Sequence, residues 1–300
     1  GSVMKFEIAL EKARRLKLVE QNIVDNPRLQ RWRQVQGSAP VYRFCKHRKL
    51  DLNRVNEHIC LGLKANAPEM DCYKILRTQI LQRTRSKGQN TIMITSILPG
   101  EGKTLTAINL ALTFAKTQNH TALLVDSDLR RQQIDKYLGL KNDIGLGDFL
   151  NKSHSLYELI VWPHVEKFTF ISGGNTIVDS SELLGSVRMQ ILVEDLKKRY
   201  QDRYIFFDSA PLLGGDDALT LSSWIDGIII VVESHKTPMK QVEEALNLIP
   251  KEKFLGFVLN KHKTYNSKYN KYFNRSSTTK ISKQITMASL KLKRRRENKT

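Results

Sequence analysis

Residues 96–104 read Ser-Ile-Leu-Pro-Gly-Glu-Gly-Lys-Thr, between a short apolar run at 91–95 and a helix-patterned stretch at 105–115. A strand, a glycine-rich turn and a helix start, in that order, make a phosphate cradle. Backbone N–H groups of the turn and of the first helical turn point at phosphate oxygens. The cradle comprises Pro99, Gly100, Glu101, Gly102, Lys103, Thr104 and Leu105. Lys103 is expected to set a point charge against the β- and γ-phosphates of a nucleotide, and Thr104 to offer its hydroxyl to Mg²⁺. Ile97 stands where the general pattern has its first glycine. Gly-Lys-Thr turns also arise by chance, so the phosphate reading leans on the flanking elements and on acids further along the chain.

Those acids follow two more apolar runs. Leu123-Leu124-Val125 leads into Asp126-Ser127-Asp128-Leu129-Arg130-Arg131, and Tyr204-Ile205-Phe206-Phe207 leads into Asp208-Ser209-Ala210-Pro211. A site for MgATP needs one acid to hold the metal, directly or through water, and another near the γ-phosphate to orient or deprotonate the attacking oxygen. A single acidic strand end is an ordinary turn feature. Two of them downstream of Gly-Lys-Thr form a set.

The elements that must position these residues are legible as alternation. Apolar runs of strand length fall at 91–95, 122–125, 168–171, 204–207, 228–232 and 255–259, with helix patterns at 103–116, 188–200 and 240–247 between them. Continuous rather than alternating apolar strands indicate burial on both faces. The pattern predicts an α/β fold: a doubly wound, mostly parallel sheet with helices on both faces, of the P-loop NTPase type. Ligands of such sheets bind beyond the carboxyl ends of the strands, where the loop and the acids lie. Before this body, 4–15 has amphipathic helical spacing, about 20–66 reads mostly as linker, and 70–82 reads as a helix. The expected division is an amino-terminal helix and basic linker (1–68), a nucleotide-binding domain (69–262) and a basic tail (263–300).

Apolar residues make up 40% of the chain, enough for a core. No run approaches the eighteen or so apolar residues of a membrane span. The charged start has no signal-peptide pattern, and Cys45, Cys60 and Cys72 have no metal or redox spacing. A cytoplasmic protein is expected. The net charge of +19 sits at the ends: 1–90 carries +11, 91–260 carries −4 and 261–300 carries +12. Such ends suit an anionic surface, whether lipid headgroups, nucleic acid or an acidic protein, and equally suit a solvated tail.

With Pro-Gly-Glu-Gly-Lys-Thr as Walker A, Val-Asp-Ser-Asp-Leu-Arg-Arg as Walker A′ and Phe-Phe-Asp-Ser-Ala-Pro as Walker B, the chain resembles the bacterial tyrosine autokinases of capsule and exopolysaccharide synthesis. Ser181-Glu-Leu-Leu184, Arg188-Met189, Ile225-Asp-Gly227 and Phe257-Val-Leu-Asn260 also match, so the resemblance covers about 69–262. The opening Ile8-Ala-Leu-Glu-Lys-Ala-Arg14 is similar to that of soluble autokinases encoded at exopolysaccharide and exosortase loci.

The resemblance implies that Lys103 and Thr104 grip phosphates and Mg²⁺, and that Asp208 holds Mg²⁺ through water. It implies that Asp126 and Asp128 complete the metal site and activate the acceptor hydroxyl, and that Asn260 meets the adenine edge. Asn260 is otherwise an ordinary turn asparagine. Tyr265, Tyr269 and Tyr272 become the phospho-acceptors of the tail. Asp71-x-x-Lys74-x-x-Arg77 corresponds to the family's self-association helix, altered at two of three positions, and can also be a plain solvated face. Walker B differs too, with Asp-Ser-Ala-Pro in place of the usual Asp-Thr-Pro-Pro.

The implied function is an ATP-dependent protein-tyrosine autokinase that regulates polysaccharide synthesis and export. It would form a homo-oligomer, ring or dimer, and answer to a membrane-embedded co-polymerase-type activator. It would be recruited to the inner face of the membrane, with the basic tail as a contact for anionic lipid and no nucleic-acid partner. The alternative is a partitioning-type ATPase that binds DNA or membrane through the basic ends. Those proteins carry an extra lysine early in the loop, where this chain has Ile97 and Leu98.

Overall fold

The computed structural model of the chain describes residues 45–57, 70–140, 144–151, 154–200 and 202–262. The strands are β1 (Lys46–His47), β2 (Thr91–Ser96), β3 (Thr121–Asp126), β4 (Ile160–Trp162), β5 (Phe168–Ile171), β6 (Arg203–Asp208), β7 (Gly227–Glu233) and β8 (Phe254–Asn260). They form one sheet in the order β1-β4-β5-β3-β6-β2-β7-β8. From β5 to β8 every pairing is parallel, β4 runs antiparallel to β5, and β1 runs parallel to β4.

Every residue of β2, β3, β5 and β6 is buried. Because strand side chains alternate, such strands need apolar cover on both faces. Met93 enters one core, and its neighbours Ile92 and Ile94 enter the other. The first core is closed by Met189, Leu192, Val193 and Leu196 of a helix at Val187–Arg199 and by Ala245 of one at Met239–Leu248. The second is closed by α2 (Met70–Thr84, through Ile80) and by α3 (Lys103–Ala115), which is buried along almost its whole length. Helices thus cover both faces, as the alternation predicts.

Parallel register brings the carboxyl ends of β2, β3 and β6 to one edge. Asp126 lies opposite Asp208, and Ile94 lies opposite Asp208 on the other side. The glycine-rich loop leaves β2 between β6 and β7, so the acids flank it on one side and the ends of β7 and β8 on the other.

One correction concerns the stretch read as mostly linker. Residues 46–47 form the edge strand, with Lys46 opposite Val161 and His47 opposite Trp162. The helix α1 (Leu52–Glu57) follows and buries Val55 to 2% exposure in the second core. A two-residue strand and a helix of fewer than two turns carry too little periodicity to be read, and this applies equally to the three-residue β4 and to the short helix α4 (Ile134–Leu138). The amphipathic pattern at 4–15 and everything after residue 262 lie outside the described residues.

Two outcomes follow from this packing. A chain starting at residue 60 should unfold at lower urea than one starting at residue 45, because fully burying a side chain such as Val55 contributes about 1.5–3 kcal/mol. Equal midpoints would detach 45–57 from the cooperative core. The second outcome concerns Asp135, in the first turn of α4, which accepts a hydrogen bond from Ser172 Oγ at 2.5 Å. Burial pushes its carboxyl up to about 6, against the pull of that hydroxyl. The folded chain therefore keeps this proton after the unfolded chain has lost it. Stability conferred at low pH falls away as pH rises from about 4 through 6, on the order of 2–3 kcal/mol. Urea titrations of wild type and Asp135→Asn at pH 4 and 7.5 should show the difference moving in the variant's favour at the higher pH; a constant difference would be the contrary result.

Candidate active site

The loop owes its shape to two glycines and one buried carboxylate. Gly100 and Gly102 have φ of 84° and 94°, left-handed backbone that a side chain disfavours. A Cβ on Gly102 would also lie 2.1 Å from Asn260 Nδ2. Glu101 is only 2% exposed. Its Oε2 accepts the N–H groups of Ile97 and Leu98 at 2.7 Å each. Its Oε1 accepts from the Glu233 N–H at 3.2 Å and from the Thr237 hydroxyl. Its sequence position marks it only as a loop residue, yet its side chain is the loop's internal strut. Nothing in the motif distinguishes this position, so the role was not readable.

The end of β8 fastens the loop from the other side. Asn260 Nδ2 donates to the Glu101 carbonyl at 2.8 Å. Lys261 Nζ donates to the Gly100 carbonyl at 2.7 Å and pairs with Glu233 at 3.1 Å. Asn260, expected at an adenine edge, is thus set against the loop backbone.

On the acidic side, Lys103 is buried and its Nζ lies 2.8 Å from Asp128 Oδ2 and 3.7 Å from Asp208 Oδ1. Burial works to strip its proton, but the charges of Asp208, Asp128 and Asp126 outweigh burial and raise its pKa, so it stays an ammonium. Asp128 also accepts the Arg131 N–H at 3.1 Å. Asp126 accepts the N–H groups of Gln133 and Ile134 at 3.1 and 3.2 Å, at the start of α4. Burial and the facing Asp208 hold the Asp126 carboxyl well above the ordinary range. Asp208 is raised as well, by burial, against the pull of Lys103 and Thr104.

Three carboxylates and one ammonium leave a formal charge of −2 in a region where no side chain is more than 11% exposed. Both oxygens of Asp208 and Oδ1 of Asp126 are buried without a hydrogen-bond donor. Unpartnered hard oxygens beside a hydroxyl fit a divalent cation such as Mg²⁺. Among the described residues no group of three or more His, Cys, Asp or Glu can hold a metal by itself. Mg²⁺ takes one or two carboxylates and completes its shell with phosphate oxygens and water.

One cluster was missed. Arg130 Nε lies 3.0 Å from Ser180 Oγ and 3.2 Å from Asp217 Oδ2, and Ser180 donates to Asp217 at 2.6 Å. It ties the loop after β3 to the starts of the two short helices Ser180–Leu184 and Asp217–Ser222. A basic residue two places past Asp128 was the available signal; nothing marked Asp217.

Other candidates lie elsewhere. Asp71, Lys74 and Arg77 are on α2. Asp71 and Lys74 pair with each other at 2.8 Å on the surface. Arg77 does not share that face: it donates to the Thr113 carbonyl of α3 at 2.9 Å, partly buried. Thr113 is ten residues from Lys103, about 15 Å along the helix. Tyr265, Tyr269 and Tyr272 lie outside the described residues. Among the described residues no helix is long and apolar enough to cross a membrane.

Comparison with known proteins assigns this geometry. The ParA family, described as NUBPL iron-transfer P-loop NTPase, matches residues 87–293. The chain is 30% identical over 222 residues to the tyrosine-protein kinase YwqD of Bacillus subtilis (strain 168), covering 73% of this chain and 92% of that one. It is 29% identical over 233 residues to the tyrosine-protein kinase ptk of Acinetobacter johnsonii, covering 74% of this chain but only 31% of that longer relative. The crystal structure of the chimerical protein CapA2B2 superimposes with a TM-score of 0.63 at 25% identity, over 75% of this chain and 95% of that chain. The chain belongs to the ParA family of P-loop NTPases and, within it, to the bacterial tyrosine-protein kinases.

Proposed function

We propose that the chain transfers the γ-phosphate of ATP to tyrosine hydroxyls, with its own Tyr265, Tyr269 and Tyr272 as acceptors. The observation that carries the reading is the convergence of Asp126, Asp128 and Asp208 on Lys103, at the mouth of a braced phosphate loop. In the transfer, the tyrosine oxygen bonds to phosphorus as the bond from phosphorus to the β–γ bridging oxygen breaks, and ADP leaves. Lys103, kept cationic, offsets charge on the transferred group, while Asp126 and Asp128 are placed to orient the hydroxyl and take its proton. Thr104, Asp126 and Asp208 are the residues that would hold Mg²⁺, whose chemistry is to neutralise phosphate charge.

The process is the one the resemblance implies: control of polysaccharide synthesis and export, in the cytoplasm at the inner face of the membrane. The partners would be a membrane-embedded co-polymerase-type activator and further copies of the chain. The basic tail supports recruitment to anionic lipid. Against a partitioning ATPase stands Ile97, which is fully buried in the first core where that class carries a lysine.

Incubation with MgATP followed by mass spectrometry should find phosphate on the three tail tyrosines. Lys103→Met should lower the rate by at least about a hundredfold, the scale for losing one charge-stabilising group. Asp208→Asn should raise the Mg²⁺ concentration needed for half-maximal rate. ATP hydrolysis with no phosphotyrosine, or full labelling in Lys103→Met, would overturn the proposal.

A further inference from the structure

We propose that Arg130 is a positioning residue for the phosphate transfer, acting through the buried pair Ser180–Asp217 to hold Asp128 against Lys103. The inference rests on the kinase reading and says what keeps that site's acids in register. Arg130 stands in the loop that leaves β3, the strand between β5 and β6 in the sheet. Ser180 opens the helix reached from β5, and Asp217 opens the helix reached from β6. The guanidinium meets the Asp217 carboxylate side-on, with Nε 3.2 Å from Oδ2 and Nη2 3.3 Å from Oδ1. The same Nε donates to Ser180 Oγ at 3.0 Å, and the Ser180 hydroxyl donates to Asp217 Oδ2 at 2.6 Å. A planar fork holds both carboxylate oxygens at once, which a lysine ammonium does not. Ser180 and Asp217 are buried, and among the described residues Arg130 is the cation that pairs with Asp217. One side chain from the middle strand thus clasps the exit loops of both neighbours.

Asp128 lies between two fastenings. On one side Ser127 donates its N–H and its hydroxyl to the Asp208 carbonyl, at 2.9 and 2.7 Å. On the other, Arg130 is tied to Asp217. Leu129, between them, accepts the Ile177 N–H at 3.0 Å, and Gln132 Nε2 donates to the Asn175 carbonyl at 2.9 Å. The Asp128 carboxylate therefore projects from a span pinned at each end, and its Oδ2 meets Lys103 Nζ at 2.8 Å. The loop from β6 is itself pinned to the root of the phosphate loop, by the Leu212 N–H on the Ser96 carbonyl at 2.8 Å and the Leu213 N–H on the Ile97 carbonyl at 3.2 Å. The clasp closes a circuit from the phosphate loop through Asp217 and Arg130 back to Asp128.

The nucleotide cradle is braced by other residues. Glu101, Asn260 and Lys261 fix its backbone from the side of β7 and β8, and none of them touches the clasp. Loss of the clasp should therefore be felt in the transfer step and not in ATP binding. That split separates a positioning role from a general loss of structure.

The test compares the full-length wild type with Arg130→Ala, with the double variant Arg130→Ala/Asp217→Asn, and with Lys197→Met. Lys197 makes a comparable tie, to Asp226 at 2.5 Å, and Asp226 holds the start of β2 at the end of the sheet away from the acids. Urea midpoints report stability, and initial rates of tyrosine labelling at varied MgATP report kcat and KM. Arg130→Ala should lower kcat by about ten- to a hundredfold, the scale for small misplacements of reacting groups, with KM for ATP within about twofold of wild type. Adding Asp217→Asn removes the carboxylate left buried without its cation, so the double variant should regain urea midpoint while its kcat stays low. Lys197→Met should lose midpoint and keep the wild-type kcat. The clasp is overturned if kcat follows the urea midpoint across these forms. It is equally overturned if Arg130→Ala keeps the wild-type kcat, or raises KM for ATP by as much as it lowers kcat. Should wild type hydrolyse ATP without labelling tyrosine, the kinase reading falls alone, and the same comparison made on ATP turnover decides the clasp.

Discussion

The ammonium of Lys103, buried among three carboxylates, is the interaction on which the rest of the active end depends. Asp126 and Asp208 sit opposite each other at the ends of adjacent strands. Two like charges about 4 Å apart in a partly desolvated setting repel by about 4 kcal/mol at an effective dielectric of 20. Lys103 offsets part of that repulsion, and what remains, together with burial, holds the Asp126 carboxyl above its ordinary range. The remaining excess of negative charge is a demand for a cation, imposed by the fold. Parallel strands put the acids at one edge, and the helix start after Gly102 puts the lysine among them. Neither the sheet nor the loop could be changed alone without leaving a buried charge unpaired, the costliest kind of error in a core.

The loop's rigidity comes from the opposite side of the sheet. Glu101 reaches to the backbone of Glu233 and the hydroxyl of Thr237, while Asn260 and Lys261 return bonds to the carbonyls of Glu101 and Gly100. The N–H groups that face phosphate are thus fixed by β7 and β8 before any ligand arrives. Pre-paid ordering of this kind is what lets electrostatic stabilisation act without reorganisation at the moment of reaction. It also means that the two halves of the sheet have separate tasks: β3 and β6 supply charge, and β7 and β8 supply shape.

This division explains what the sequence disclosed. The six long strands, the phosphate loop and the charge-bearing acids were legible because burial on both faces and the chemistry of phosphate leave few residue choices. Glu101 was legible only as a place in a loop, because a strut is defined by partners more than 130 residues away, Glu233 and Thr237. Arg130, Ser180 and Asp217 come from three separate elements and share no spacing. The edge strand at 46–47 escaped because two residues on a sheet margin need no pattern; Leu50 and Val55, apolar among polar neighbours, were the traces of this segment's packing.

Arg77 shows how spacing misleads at the surface. Positions i, i+3 and i+6 spread over about 120° of a helix, wide enough for the last member to face a neighbouring helix while the first two face water. A cation near a helix carboxyl end is favoured by the exposed carbonyls and the dipole, and Thr113 offers such a carbonyl. The exposed Asp71–Lys74 pair is already satisfied within its own turn and contributes only about 0.2–0.5 kcal/mol. The chain's larger electrostatic asymmetry lies between its body at −4 and its final forty residues at +12. Opposite signs on two parts of one sequence are a source of long-range attraction, and one that added salt screens.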